Sequence, residues 1–116
     1  MPSISFNIEK MDSINLIELH LPESLDSQEF DQLNDRAITE LSRAGGELWI
    51  MDLADVAYSG SSVLGFLVNI RQQIKASDGQ LVLCSLRPQL AMIFETSRLN
   101  RLFTIAKTRH EAARMF

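Results

Sequence analysis

Apolar and polar side chains alternate through "SISFNIE" and "NLIELHL", so that Ile17, Leu19 and Leu21 point one way and Leu16, Glu18 and His20 the other. A period of two predicts two strands, and the short "KMDSI" between them predicts a hairpin. The period then changes. In "LDSQEFDQLNDRAITELSRAGG", Phe30, Leu33, Ala37, Ile38 and Leu41 share one helical face; Asp26 or Ser27 can cap that helix, Glu29 can complete a capping box, and Gly45 and Gly46 end it. "ELWIMDL" is nearly continuous in apolar residues, the pattern of a central parallel strand covered on both faces. A second helix is predicted from about Ser61 to Ser77, with Val63, Leu64, Leu67, Val68, Ile70 and Ile74 as its apolar face and Phe66 at the edge of it. Arg71 interrupts that face and must extend its head toward water. "SDGQ" reads as a turn, "LVLCSL" as a buried strand, and Pro88 as the first residue of a helix in which Leu90, Ile93 and Phe94 belong to the core. "LFTIAKT" then predicts a last strand and "RHEAARMF" a last helix.

The order ββαβαβαβα predicts a single α/β domain spanning residues 1–116, with a mixed, mainly parallel sheet of about five strands and about four helices. The first hairpin supplies an antiparallel edge. In such a sheet the working surface is expected beyond the carboxyl ends of the strands.

Composition narrows the function. With 46% hydrophobic and 22% charged residues the chain can bury a real core, so a globular domain is expected. A net charge of −4 without a Lys/Arg cluster gives nucleic acid no electrostatic footprint. No apolar run approaches the ~20 residues of a membrane span, and "MPSISFNIEK" lacks a signal-peptide pattern, so a cytoplasmic protein is expected. The single cysteine, Cys84, reads as a small buried hydrophobe. No metal or cofactor site is expected, and the oligomeric state is left open.

"YSGSSVLGFL", residues 58–67, stands at one of the carboxyl ends. Gly60 can make the turn while Ser61 or Ser62 caps the following helix. A nucleophile elbow would need glycine two residues after the serine, where Leu64 follows Ser62, and His20 and His110 carry no local signature of a catalytic base. A serine hydrolase is therefore a remote alternative. Gly60 and Gly65 have P-loop spacing, but Phe66 and Leu67 replace its Lys and Ser/Thr. A serine in the first turn of a helix, where free amides stabilise negative charge, also suits reversible phosphorylation. Phe66, one turn beyond Ser61 with Ser62, Asn69 and Gln73 beside it, reads either as an anchor for a protein partner or as core.

From Met51 to Ile105 the sequence resembles the core of a STAS domain, the fold of bacterial anti-sigma factor antagonists. Gly60-Ser61-Ser62-Val63-Leu64-Gly65 occupies the family's D-S-S-G-L-G centre, with glycine at its aspartate position and valine at its first glycine. Asp78 to Cys84 matches the family's strand entry, Pro88 to Phe94 its P-x-[LV]-x-x-[IL]-[FL] helix, Ser97-Arg98-Leu99 its S-G-L step, and Leu25-Asp26 the L-D before the first helix. The resemblance implies a non-enzymatic antagonist that binds an anti-sigma factor serine kinase, is phosphorylated by it on Ser61, with Ser62 as second choice, and is reset by a PP2C-type phosphatase. It implies that Asp26 and Asp52 flank the site. The surface available to the partner is expected to include Asp26, Ser59, Gly60, Ser62, Phe66 and Asn69. The alternative is a STAS scaffold or sensor subunit of a signalling assembly, in which the serines only cap the helix.

Overall fold

Asp12 and Ser13 reverse the chain between β1 (Ser5–Met11) and β2 (Ile14–Leu21), which pair antiparallel with Met11 opposite Ile14. Asp12 takes a left-handed φ of 56°, which a short polar side chain tolerates. The computed structural model describes residues 4–57 and 60–116. After β2 come α1 (Ser27–Ala44), β3 (Leu48–Val56), α2 (Ser61–Ala76), β4 (Gln80–Cys84), α3 (Pro88–Thr96), a 3-10 turn (Leu99–Arg101), β5 (Thr104–Ala106) and α4 (Arg109–Ala113). The sheet order is β1-β2-β3-β4-β5, with β2 to β5 parallel. This is the mixed α/β sheet with an antiparallel edge that the alternating periods predict.

Each new strand is added beside its predecessor in the same direction. Right-handed crossovers therefore place α1, α2 and α3 on one face of the sheet. Their buried side chains, among them Phe30, Leu33, Phe66, Leu67, Ile70 and Phe94, form one core with Ile17, Leu19, Met51, Leu53 and Leu83. On the other face α4 packs over β3, β4 and β5, where Leu16, Ile50, Val82, Cys84 and Ala112 make a smaller core. Asn7, Glu9, Glu18 and His20 lie on this second face of β1 and β2 and keep contact with water.

Two expectations change on the way to β5. The strand read from Leu102 onward is only Thr104–Ala106, because Arg98 turns left-handed at φ 63° and Leu99–Arg101 coil into the 3-10 turn. Of the apolar pair that suggested a longer strand, Leu102 is exposed and Phe103 serves packing instead, buried against Phe94 with ring centroids 5.5 Å apart. Arg71 does not simply reach for water, since its Nε donates to the Leu102 carbonyl at 3.0 Å and ties α2 to this connection. At the other end of the sheet Asn15, 1% exposed, donates through Nδ2 to the Gly45 carbonyl at 2.7 Å. Gly46 follows at φ 103°, and a Cβ there would lie 2.6 Å from Asn15 Nδ2, so only glycine fits.

Candidate functional site at the amino end of α2

The approach to α2 is shaped by an irregularity in β3. Glu18 faces Asp52, but His20 faces Asp55, so β3 carries one extra residue in that interval. Asp52 Oδ1 accepts from the Ala54 amide at 2.8 Å, and Arg87 Nε donates to the Ala54 carbonyl at 2.8 Å, which holds the bulge from both sides of the peptide chain. Beyond it the backbone reaches Gly60, extended at φ −79° and ψ 165°, which is the N-cap of α2. The Gly60 carbonyl accepts from the Val63 amide at 3.2 Å, and among the described residues no side chain caps this end.

The expectation that Ser61 or Ser62 caps the helix is thereby corrected. Both are already helical, one and two residues inside the boundary, where their hydroxyls no longer reach the amides that an N-cap side chain serves. Both are exposed, and among the described residues neither hydroxyl has a hydrogen-bond partner. Beneath them Val63 is 0% exposed and anchors the turn in the core. One turn on, Gly65 is exposed, with nothing within 4 Å of where a Cβ would stand. The result is a bare helix start on a rigid base.

Asp26 stands at the corresponding place on the neighbouring crossover. It caps α1 by accepting from the Glu29 amide at 2.8 Å while its own amide donates to Glu29 Oε1 at 3.0 Å, the capping box read from the sequence. Because β2 and β3 are adjacent and parallel, the amino ends of α1 and α2 face the same end of the sheet, and the two helices pack together.

With this geometry in place, the profile of the STAS domain family matches residues 5–112. The chain belongs to the STAS domain family. Over 67 residues it is 33% identical to the candidate anti-sigma factor antagonist BtrV of Bordetella bronchiseptica, a match that spans 58% of each chain and so less than two thirds of that relative's length. A candidate anti-sigma factor antagonist of Thermotoga maritima has the same fold, with a TM-score of 0.78 and 24% identity over 94% of this chain and 92% of that one. The phosphorylated form of Bacillus SpoIIAA matches at TM-score 0.65 and 21% identity, over 94% of this chain and 96% of that one.

The STAS fold gathers only some of the residues the sequence nominated. Ser61, Ser62, Gly60 and Asp26 share the carboxyl end of the sheet, and Ser59 lies outside the described residues. Phe66 is not at a border: it is 1% exposed, because the buried face of α2 runs Val63, Phe66, Leu67, Ile70 and Ile74, one strip over from the face expected. Asn69 is half-buried, and its Nδ2 donates to Asn34 Oδ1 at 3.0 Å, while Asn34 Nδ2 donates to the Phe30 carbonyl. That bridge joins α2 to α1. Asp52 alternates with Met51 and Leu53 and so faces away from α2, toward α4.

There the structure reveals a cluster that sequence reading missed. Arg109 Nε donates to Asp52 Oδ2 at 2.5 Å, and its guanidinium also donates to Glu18 Oε2 at 2.5 Å. Hydrogen bonds to Asp52 and then to Glu18 raise the Arg109 pKa further above its ordinary value, so the guanidinium stays charged. The partners lie 57 and 91 residues away in sequence, so no local spacing announces them. His20 sits in register with Asp55 on this same second face. It is separated by the sheet from the helix that carries Ser61, and the position gives that hydroxyl no general base.

Proposed function

We propose that this STAS domain is a non-enzymatic anti-sigma factor antagonist, which binds a kinase-type anti-sigma factor through the surface around the amino end of α2. Phosphorylation of Ser61 by that kinase releases it, and a PP2C-type phosphatase restores binding. The observation that carries this reading is the exposed Ser61 hydroxyl in the first turn of a 16-residue helix whose N-cap is Gly60; among the described residues that hydroxyl has no hydrogen-bond partner and no side chain caps the helix. A phosphate there gains the free amides of the first turn and the positive end of the helix dipole. It also places about 1.5–2 negative charges beside the uncharged, exposed Ser62 and Gly65. A partner docked closely over Ser61, Ser62 and Gly65 then meets charge and bulk where there was neither. Two further facts support the reading: BtrV carries the name of an antagonist, and SpoIIAA has been solved in both unphosphorylated and phosphorylated forms.

The test is incubation with a cognate kinase-type anti-sigma factor and ATP, followed by mass spectrometry of the peptides. One phosphate per chain on Ser61 is expected, abolished by Ser61→Ala and retained in Ser62→Ala. Ser61→Ala keeps affinity for the kinase, and Ser61→Asp weakens it. A kinase that binds the domain tightly in the presence of ATP and never modifies it overturns the switch.

A further inference from the structure

A cavity lies at the opposite end of the sheet from Ser61. It has a volume of about 400 Å³ and is lined by Leu41 and Ser42 of α1, Gly45 to Glu47, Trp49, and Gln73, Ile74 and Ser77 around the end of α2. β3 runs between the two places with nine residues, which separates them by about 26 Å. The cavity therefore belongs to neither the proposed phosphorylation site nor its approach.

Glu47 is the one charged residue of its lining. α1 ends at Gly45 and α2 at Ser77, so the negative ends of two helix dipoles meet there. Glu47 adds a full negative charge, and its carboxylate forms no ion pair among the described residues. Ser42, Ser77 and Gln73 supply oxygen acceptors together with O–H and N–H donors, and none of the lining residues is a lysine or arginine. Arg43 and Lys75, in the last turns of the two helices, are not among the lining residues. Trp49 forms part of the wall, and its Nε1 is fixed on the Gly46 carbonyl at 3.1 Å, which holds the indole in place. Leu41 and Ile74 complete an apolar floor. Behind Gly46, and outside the lining, Asn15 Nδ2 and Lys10 Nζ lie 2.6 and 3.8 Å from where a Cβ would stand, so an ammonium of the protein itself is on the far side of that wall.

We propose that this cavity binds an organic ammonium group, with the charged head between Glu47 and the two helix ends and its alkyl stem against Trp49, Leu41 and Ile74. Carboxylate, dipole ends and an aromatic wall each favour a cation, and the apolar floor favours one that carries carbon over a bare metal ion. The source of that head is either a free amine or a lysine side chain of a partner protein.

Trp49 is the only tryptophan of the chain, so its fluorescence reads the cavity directly. The full chain is titrated at constant ionic strength with n-butylammonium, spermidine and N-acetyl-lysine amide, and with n-butanol and butyrate as neutral and anionic counterparts. A saturable change is expected with the ammonium compounds and none with butanol or butyrate. Glu47→Gln is expected to weaken the response by up to about fivefold, as for the loss of one partly exposed charge contact. Because Glu47 is exposed, its melting temperature should match the parent. Gln73→Lys, which brings a cation to the lining, is expected to abolish the response. Rejection of N-acetyl-lysine amide by a cavity that takes butylammonium assigns the site to a free amine, and tighter binding of N-acetyl-lysine amide than of butylammonium assigns it to a protein lysine. An identical response to butanol and butylammonium, a response untouched by Glu47→Gln, or no saturable response to any ammonium compound overturns the proposal.

Discussion

Phe66→Ala separates a core role for this ring from a surface role. Phe66 is 1% exposed and sits on the helix face that includes Val63, Leu67, Ile70 and Ile74, in the core shared by α1, α2 and the sheet. Truncating such a ring removes its burial and leaves a cavity that the surrounding structure only partly fills, at a cost of about 3–5 kcal/mol. Unfolding entropy of about 2.1 cal/mol/K per residue over 116 residues amounts to about 0.24 kcal/mol/K. The Tm should therefore fall by about 12–20 °C. Far-ultraviolet circular dichroism during heating measures it, with affinity for the proposed kinase partner measured on the same protein well below its Tm. At that temperature the affinity should be close to that of the parent. A Tm change under about 4 °C, equivalent to roughly 1 kcal/mol, together with lost affinity would refute the burial argument and return Phe66 to the surface.

Gly65→Ala should raise the Tm by about 2–4 °C, because a helix-interior glycine costs about 0.5–1 kcal/mol relative to alanine and the added Cβ meets nothing within 4 Å; an unchanged or lowered Tm contradicts it. Asp52→Asn should cost about 1 kcal/mol by weakening the pair with the half-exposed Arg109, while Asp52→Ala should cost up to about 3 kcal/mol because the Ala54 amide also loses its acceptor; equal urea midpoints for the two variants refute the bulge-holding role. Cys84 is 0% exposed, and burial pushes its thiol above the ordinary 9.0, so a disulfide reagent should modify it only on unfolding. The sign of the linked pH effect follows: the unfolded thiol ionises first, so this contribution to stability is complete below the unfolded pKa and falls as pH rises through the folded one.

Local chemistry was what the sequence disclosed best. The capping box at Asp26 and Glu29, the glycine stop after Ala44, the alternation in β2 and the proline at the start of α3 each involve residues within a turn or two of one another, and each is found where the pattern put it. The misreadings have equally physical causes. On α2 the apolar arc is broad enough to be centred on two strips; the neighbouring α1 and the sheet beneath select the one containing Phe66, leaving Leu64 and Val68 half-buried. At the helix start a boundary one residue away from the serines turns two prospective caps into free hydroxyls. Leu102 and Phe103 looked like strand because apolar character alone does not tell a strand from a connection that buries one ring, here Phe103, and leaves Leu102 exposed. The Arg109 cluster depends on three elements meeting across the second face, and only the sheet order brings them together.

This division of α2 into an anchored strip and a bare first turn bears on how a switch at Ser61 would act. Val63, Phe66 and Leu67 hold the helix from below, whereas Ser61, Ser62 and Gly65 are exposed. A charge added above the anchored strip displaces no buried group. An acidic group at the first helical position interacts favourably with the dipole, by about 0.3–1 kcal/mol at an exposed site. Ser61→Asp should therefore leave the Tm unchanged or raise it by up to about 4 °C, even as it weakens binding to the kinase. Amide chemical-shift changes should be confined to the loop before α2 and its first two turns. The sign is the informative part: release by local unfolding would lower the Tm, whereas release by surface charge would not. A Tm depressed by more than about 4 °C, or shift changes spread through β3, β4 and α1, would show that the first turn is coupled to the core and would sink the surface-charge account.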